Sequence, residues 1–553
     1  MDIQRYLLTA AIVVLSFMLM TEWVSFRQHH ADAPIAASAP AIPGATAANG
    51  GNVADVPASA NALATTVAES KAEANRLVRV RTDVLDIQID REGGDIVYAA
   101  LPQYSAKLET PNEPFVLLEQ SAKRDYVAKS ELVGLSRTSA RPLYQSSGDN
   151  FELKEGADAL TVALTIETEQ HLIVTKTFTL HRGNYLVDVA YHVENHGDTA
   201  WQGSLYGQLK RDSSEDPSVF SGGFGVSSFM GFAINRTDPT STKNDGYHKI
   251  KFKDIATTPL KLQQQGGWIA LVQHYFLSAW VPAADQPIQY ATNALNGINV
   301  ASFTGPTQSV APNSSADFVA HFYAGPKDQY RLRTISPGLD LSVDYGWQSP
   351  IAQPLFWLLT KIHGLLGNWG WSIMVLTLMV KAAFFWLNAK AYISMANMRR
   401  VQPKLVEIRE RYADDKQKQS QEMMSLYKTE KINPIGGCLP VLVQMPVFLA
   451  LYSVLLESVE LRHAPWILWI KDLSAMDPYY VLPLLMGATM FIQQKLNPPP
   501  PDPMQAKVMQ WMPVMFTFFF LWFPAGLVLY YAVNNMLSIA QQYVITKRII
   551  KTP

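Results

Sequence analysis

The residues that invite a chemical reading lie in a stretch with few polar atoms. Trp369 to Lys390 reads WGWSIMVLTLMVKAAFFWLNAK, apolar for about twenty residues, the length a bilayer core asks of a helix. Lys381 interrupts it, roughly 18 Å past Trp369 at a rise of about 1.5 Å per residue. An ammonium at that depth costs about 2.5 kcal/mol or more, so it needs a partner, a wet cavity or a short route out. The plain account is snorkelling, because Ala389 lies only eight residues further on and a stretched lysine can lean toward that interface. The other account turns it toward a cavity. Thr377 is four residues before Lys381, on the same helix face. Gln444 lies inside a later apolar run beside Met445, and Tyr531, Asn535, Ser538 and Gln542 step by four, three and four along the last one. Such groups often do no more than bond helices together. Taken jointly with a buried lysine, they point to a hydrated cavity open on one side. Met374, Met379, Met445, Met486, Met490, Met509, Met512 and Met515 would give it adaptable apolar walls, or simply fill gaps between helices.

No nucleophile–base pair, phosphate loop or metal cluster stands out, so neither an enzyme nor a cofactor or metal site is expected. The nearest approach is His192-x-Glu194-x-His196, which on a strand places three side chains on one face. That is either a ligand set or, more plainly, a solvated strand face. The single cysteine, Cys438, leaves no disulfide to hold an exported domain, which must rely on its core.

The elements that position these residues come from two different materials, since 15 of the 19 methionines follow residue 350. The net charge of −1 carries no nucleic-acid footprint. Arg5 precedes an apolar run to about Trp23, read as an uncleaved transmembrane anchor over 1–27 with an inside N-terminus; cleavage near Ala37-Ser38-Ala39 is the alternative. Residues 28–75, rich in Ala, Pro, Gly, Ser and Thr, read as a flexible linker. Over 76–350, period-two runs such as Leu160–Glu167, Leu172–Phe178 and Tyr185–Tyr191, parted by turns such as His181-Arg182-Gly183-Asn184, predict an all-β sandwich.

From 351 to 553 the pattern becomes helical. A one-sided stretch over 353–367 suits an interfacial helix that ends at Gly367-Asn368, rather than a span. Spans follow at 369–389, 441–456, 479–494, 508–523 and 527–545, several short of the usual ~20 residues. Between the first two, residues 390–432 predict a helical hairpin, its seam marked by Met398, Val401, Leu405, Ile408 and Tyr412. Ten Lys/Arg against six Asp/Glu place that hairpin in the cytoplasm by the positive-inside rule. Lys547, Arg548 and Lys551 end the chain on the same side. The expectation is a six-span membrane protein with both termini cytoplasmic and one large exported β domain. A small-ion or solute transporter using the lysine is the alternative, though no matching inverted half is visible. A membrane-tethered carbohydrate-binding or sugar-modifying domain is a third reading, for which six spans are excessive.

Several long ordered motifs carry a resemblance. GNWGWSIMVLTLMVKAAFFWLNAKAYISMANMRRVQPKL, NPIGGCLPVLVQMPVFLALY, DLSAMDPYYVLPLLMGATMF and FFFLWFPAGLVLYYAVNN, with GGWIALVQHYF in the β domain, resemble the YidC/Oxa/Alb family of membrane protein insertases, in its Gram-negative bacterial form. The likeness covers nearly the whole chain. It implies an inner-membrane insertase and folding chaperone with a five-helix core and a periplasmic supersandwich. A groove in the bilayer would receive hydrophobic segments of nascent proteins at positions matching Thr377, Lys381, Gln444, Met445 and Tyr531. Asn535 joins that set from its place in the polar stripe. The resemblance further implies contact with the Sec translocon and with ribosomes or the signal recognition pathway at the hairpin. One departure stands out: the family's usual charge is arginine, and here it is Lys381, which loses the planar fork and sheds its proton more readily when buried.

Overall fold

The computed structural model describes residues 76–135, 141–216, 229–236, 246–430, 439–497 and 503–550. The expected anchor and linker, and Asn433 to Cys438, lie outside them.

Alternation decides the first half. Leu172–His181 buries Leu172, Val174, Lys176, Phe178 and Leu180 and leaves Ile173, Thr175, Thr177 and Thr179 half-buried, as a strand with one face on a core must. It pairs antiparallel with Ala159–Glu167 on one side and Leu186–Asn195 on the other, Val174 standing opposite Ile166 and Val193. Leu186–Asn195 then pairs with Ser314–Pro326. The turn between Leu172–His181 and Leu186–Asn195 closes through Gly183, whose φ of 67° lies in the left-handed region that glycine enters without cost. Among the described residues these strands belong to a nine-stranded sheet facing an eleven-stranded one. All the described pairings are antiparallel except Leu77–Arg81 with Asn150–Glu152. The sheets share one core that includes Phe115, Tyr126, Phe178, Trp268 and Trp280. Trp280 Nε1 crosses it to Gln208 O at 3.1 Å. The expected sandwich is present.

One interior position is not apolar. Lys176, in the row of Val174 and Phe178, is fully buried and donates to Gly94 O at 2.6 Å, Ser130 O at 3.0 Å and Gly93 O at 3.3 Å. The HxExH stretch is a solvated face, as the plainer reading has it, with all three side chains largely open to solvent and Glu194 also 3.4 Å from His192. His196 lies past the strand end at Asn195 and bonds Glu194 at 3.1 Å, while His192 bonds Asp317 at 2.6 Å. Among the described residues no cluster of His, Cys, Asp and Glu is arranged to hold a metal ion.

The second half is helical: α1 Gln329–Ile335, α2 Ser349–Leu366, α3 Trp369–Ala383, α4 Phe385–Arg411, α5 Lys416–Thr429, α6 Leu439–Glu457, α7 Val481–Leu496, α8 Pro503–Phe520 and α9 Ala525–Ile550. Ala352, Phe356, Leu359 and Ile362 form the buried stripe of α2, with Trp357 and Leu365 exposed opposite. Gly367, at φ 66°, stops it and returns its N–H to His363 O, the usual left-handed helix end. The run expected as one helix over 369–389 folds instead as two. α3 ends at Ala383, and α4 leaves at 67° to it. α4 and α5 then form the hairpin, closed on Val401 and Leu405 with Met398, Met423, Leu426 and Tyr427 against them.

Helix α7, with 16 residues, is about 24 Å long at ~1.5 Å per residue, short of a ~30 Å hydrocarbon core. Among the described residues no single helix is long and apolar enough to cross a membrane; the bent pair α3–α4 is so together.

The β domain grips the C-terminal end of α6. Lys327 Nζ, buried, meets the largely buried Glu457 at 2.9 Å, and His274 Nε2 donates to Leu456 O at 2.9 Å. These groups answer the carbonyls and the charge left over where a helix ends. Just beyond, His463 Nδ1 bonds Ser105 Oγ at 2.9 Å and Arg462 donates to Ala106 O at 3.1 Å.

Candidate functional site

Helix α3 is anchored before it carries any site residue. The Asn368 side chain caps it by accepting from Trp371 N at 3.2 Å and donates to Pro465 O at 3.1 Å. An asparagine here satisfies one of the helix's free first-turn N–H groups. Along the helix, Thr377 is buried and donates its hydroxyl to Ile373 O at 2.6 Å. That bond stays within α3, so Thr377 offers bulk and an acceptor rather than a free donor.

Lys381 is buried, 6% exposed, and its Nζ donates to Ser538 Oγ on α9 at 2.7 Å. Ser538 donates its own hydroxyl to Asn534 O at 2.8 Å. The ammonium thus turns to another helix rather than standing open on the surface of α3. Its partner is neutral. Helices α3, α7, α8 and α9 contain no Asp or Glu, and α6 has only Glu457, its last residue. A charge held this way keeps its attraction for an anion.

The other polar residues join helices in pairs. Gln444 Nε2 on α6 donates to Asn388 Oδ1 on α4 at 3.3 Å, and Asn388, itself buried, has no partner for its Nδ2 among the described residues. Asn535 Nδ2 on α9 reaches Thr489 Oγ1 on α7 at 3.5 Å. Gln542 Nε2 donates to Leu496 O at 3.2 Å and Asn497 Oδ1 at 2.9 Å, at the end of α7. Tyr531 is half-buried, with its ring 5.5 Å from Phe448 and 5.3 Å from Phe520. Met445, 45% exposed, and Met515, 60% exposed, fit an apolar wall, while Met486 is fully buried and only fills space between helices.

The structure thus brings Lys381 to Ser538 and Asn535 to Thr489, both through α9, and Gln444 to Asn388 between α6 and α4. Asn388 and Thr489 escaped the sequence reading. Each is a lone polar residue in an apolar run, and only the facing helix gives it a partner.

The comparisons match this two-part architecture. Residues 77–358 match the family described as the YidC periplasmic domain, and residues 361–552 the 60Kd inner membrane protein family. The membrane protein insertase YidC of Stutzerimonas stutzeri is 50% identical over 560 residues, covering 99% of each chain. That of Cellvibrio japonicus is 50% identical over 559 residues, again covering 99% of both. Among solved structures, an active YidC insertase with its first transmembrane domain resolved aligns over 85% of this chain and 92% of that one, at 19% identity and a TM-score of 0.38. A helical membrane core joined to an all-β periplasmic domain, and half of all residues shared end to end with two insertases, lead to one conclusion: the chain belongs to the YidC family of membrane protein insertases.

Proposed function

We propose that this insertase receives the hydrophobic segment of a nascent membrane protein in an intramembrane groove lined by Thr377, Lys381, Gln444, Met445, Tyr531 and Asn535, and releases it sideways into lipid. The observation that carries the reading is the buried Lys381 ammonium held by a serine hydroxyl in a set of helices nearly free of carboxylates. An acidic residue in a client's leading tail would find there an unneutralised positive charge. At an effective dielectric near 20, two unit charges 4 Å apart attract by about 4 kcal/mol. Short helices such as α7 thin the bilayer locally, shortening the path a polar tail crosses. Departure into lipid is favoured by burial of apolar area, roughly 25 cal/mol per Å².

In the same reading the insertase core spans 351–553, the N-terminal segment is a retained anchor, and both termini and the α4–α5 hairpin are cytoplasmic in a bacterial inner membrane. Trp466, Trp469, Tyr479 and Tyr480, near the outer ends of α6 and α7, suit the aromatic belt of the periplasmic interface. The basic hairpin suits docking by ribosomes or the signal recognition pathway, and the Sec translocon is the expected neighbour for larger clients. A small-solute transporter has no support in the comparisons.

The test uses lipid vesicles holding this protein alone and a two-span client with an acidic loop, followed by protease protection. Native protein inserts the client above protein-free vesicles. Lys381→Ala lowers insertion about tenfold, the equivalent of ~1.4 kcal/mol, and Lys381→Arg restores it. Equal insertion of acidic and neutral loops by all three proteins would sink the role given to the charge.

A further inference from the structure

The bend between α3 and α4 has no residue that fixes it. The sequence there is Lys381-Ala382-Ala383-Phe384-Phe385-Trp386, without the proline or glycine that usually explains a sharp kink. Hydrogen bonds run up to the break from both sides. Phe384 N donates to Val380 O at 3.1 Å, and Phe384 O accepts from Asn388 N at 3.0 Å. The angle of 67° must therefore be held from outside, and contacts that hold can be exchanged.

Helix α9 supplies them on both sides of the break. Ser538 takes Lys381 Nζ at 2.7 Å before it, and Gln541 Nε2 donates to Phe385 O at 3.1 Å after it. This turn of α9 is itself tied down, because the buried Gln542 bonds Leu496 O and Asn497 at the end of α7. We propose that Ser538 and Gln541 are positioning residues that latch a hinge at Phe384, and that a client carboxylate drawing Lys381 away from Ser538 opens the hinge and moves the cytoplasmic hairpin.

The inference rests on Lys381 being the client-binding charge. A carboxylate adds a full charge–charge attraction to the ammonium, which a neutral hydroxyl cannot supply, so exchange runs toward the client. One half of the latch is then lost, and the Gln541 bond to Phe385 O is what remains of it between α9 and the first turn of α4. The hairpin continues directly from that turn, since α4 runs from Phe385 to Arg411 as one helix. Occupation of the membrane site is thereby reported to the face where chains arrive.

The test uses the full chain in vesicles, with Cys438→Ser and spin labels at Glu422→Cys on α5 and Tyr543→Cys on α9, both exposed. The probe is an apolar peptide of about 20 residues with two aspartates in its leading tail, beside a twin carrying asparagines. Label separation and photo-crosslinking of the peptide are both read. The aspartate peptide is expected to crosslink more strongly and to shift the separation; the asparagine twin should leave it alone. Ser538→Ala and Gln541→Ala should each show the shifted separation with no peptide, and Ser538→Thr, which keeps the oxygen, the native one. A crosslinked aspartate peptide with unchanged separation, or unlatched variants with the native separation, would overturn the latch while leaving the client-binding role of Lys381 standing. Equal crosslinking of the two peptides would overturn both.

Discussion

Lys176 makes the stability of the periplasmic domain depend on pH in a direction opposite to the usual paired lysine. Its amine is fully buried between Val174 and Phe178 in the sandwich core, with three backbone carbonyls as its hydrogen-bond partners. Burial pushes its pKa from the ordinary 10.5 down to about 7, with Asp95 pulling the other way. In the unfolded chain the same lysine keeps its proton to near 10.5. Between these values the unfolded state binds more protons, so stability rises with pH. Below about 7 both states are charged and the full cost of burial is present; the cost is relieved as pH climbs toward 10.5. Each pH unit inside the window is worth about 1.4 kcal/mol, so moving from pH 7 to 9 should add roughly 2 to 3 kcal/mol. The clean measurement is a difference, because other groups cancel. Native chain and Lys176→Met are compared by hydrogen exchange of the 172–181 amides across that range. The methionine variant should be more stable near pH 7, and its advantage should shrink steadily toward pH 9. A gap between the two proteins that stays flat over those two units would refute the reasoning.

Breaking the buried pair at the domain joint by Lys327→Met or Glu457→Leu alone should cost about 3–5 kcal/mol, the penalty of an uncompensated buried charge, and the double variant should recover most of it; chemical denaturation in detergent reads this. Gly487 sits where α7 meets α8, and a Cβ there would overlap Thr517 Oγ1. Gly487→Ala is expected to destabilise by about 1–3 kcal/mol through overpacking, with Thr517→Ala in the same chain giving back part of the melting temperature. Asp328 caps α1 by accepting from Tyr330 N at 3.0 Å and Arg331 N at 3.2 Å, so Asp328→Ala should lower stability by about 1 kcal/mol, which Asp328→Asn should largely spare.

Much of the architecture was legible because burial on one face leaves a period. Leu172, Val174, Phe178 and Leu180 mark a strand, and Val401 and Leu405 mark a hairpin seam, whatever surrounds them. Lys176 breaks the strand period and still points inward, because three carbonyls answer its ammonium and no local pattern encodes them. The bend at Phe384 was illegible for a related reason. Nothing in Ala382-Ala383-Phe384-Phe385 disfavours a continuous helix, and the angle comes from α9, far along the chain. Helix ends moved where caps decided them. α8 begins at Pro503, five residues before the apolar run expected at 508, since proline is at home in a first turn. In the site, polar residues in apolar runs announced themselves, but their pairing did not. Lys381 was visible as a charge, and its serine partner lies 157 residues away.

The grip of the β domain on α6 has a mechanical consequence. Contacts at Ser105, Ala106, His274 and Lys327 fasten residues 456–463 from three separate stretches of the sandwich. A body bolted at several points transmits torque, whereas one hung from a single strand of chain would merely swivel. Any load applied to the sandwich from outside is therefore delivered to the C-terminal end of the helix that carries Gln444 and Met445. The domain is geared to the membrane core as a handle is to a shaft.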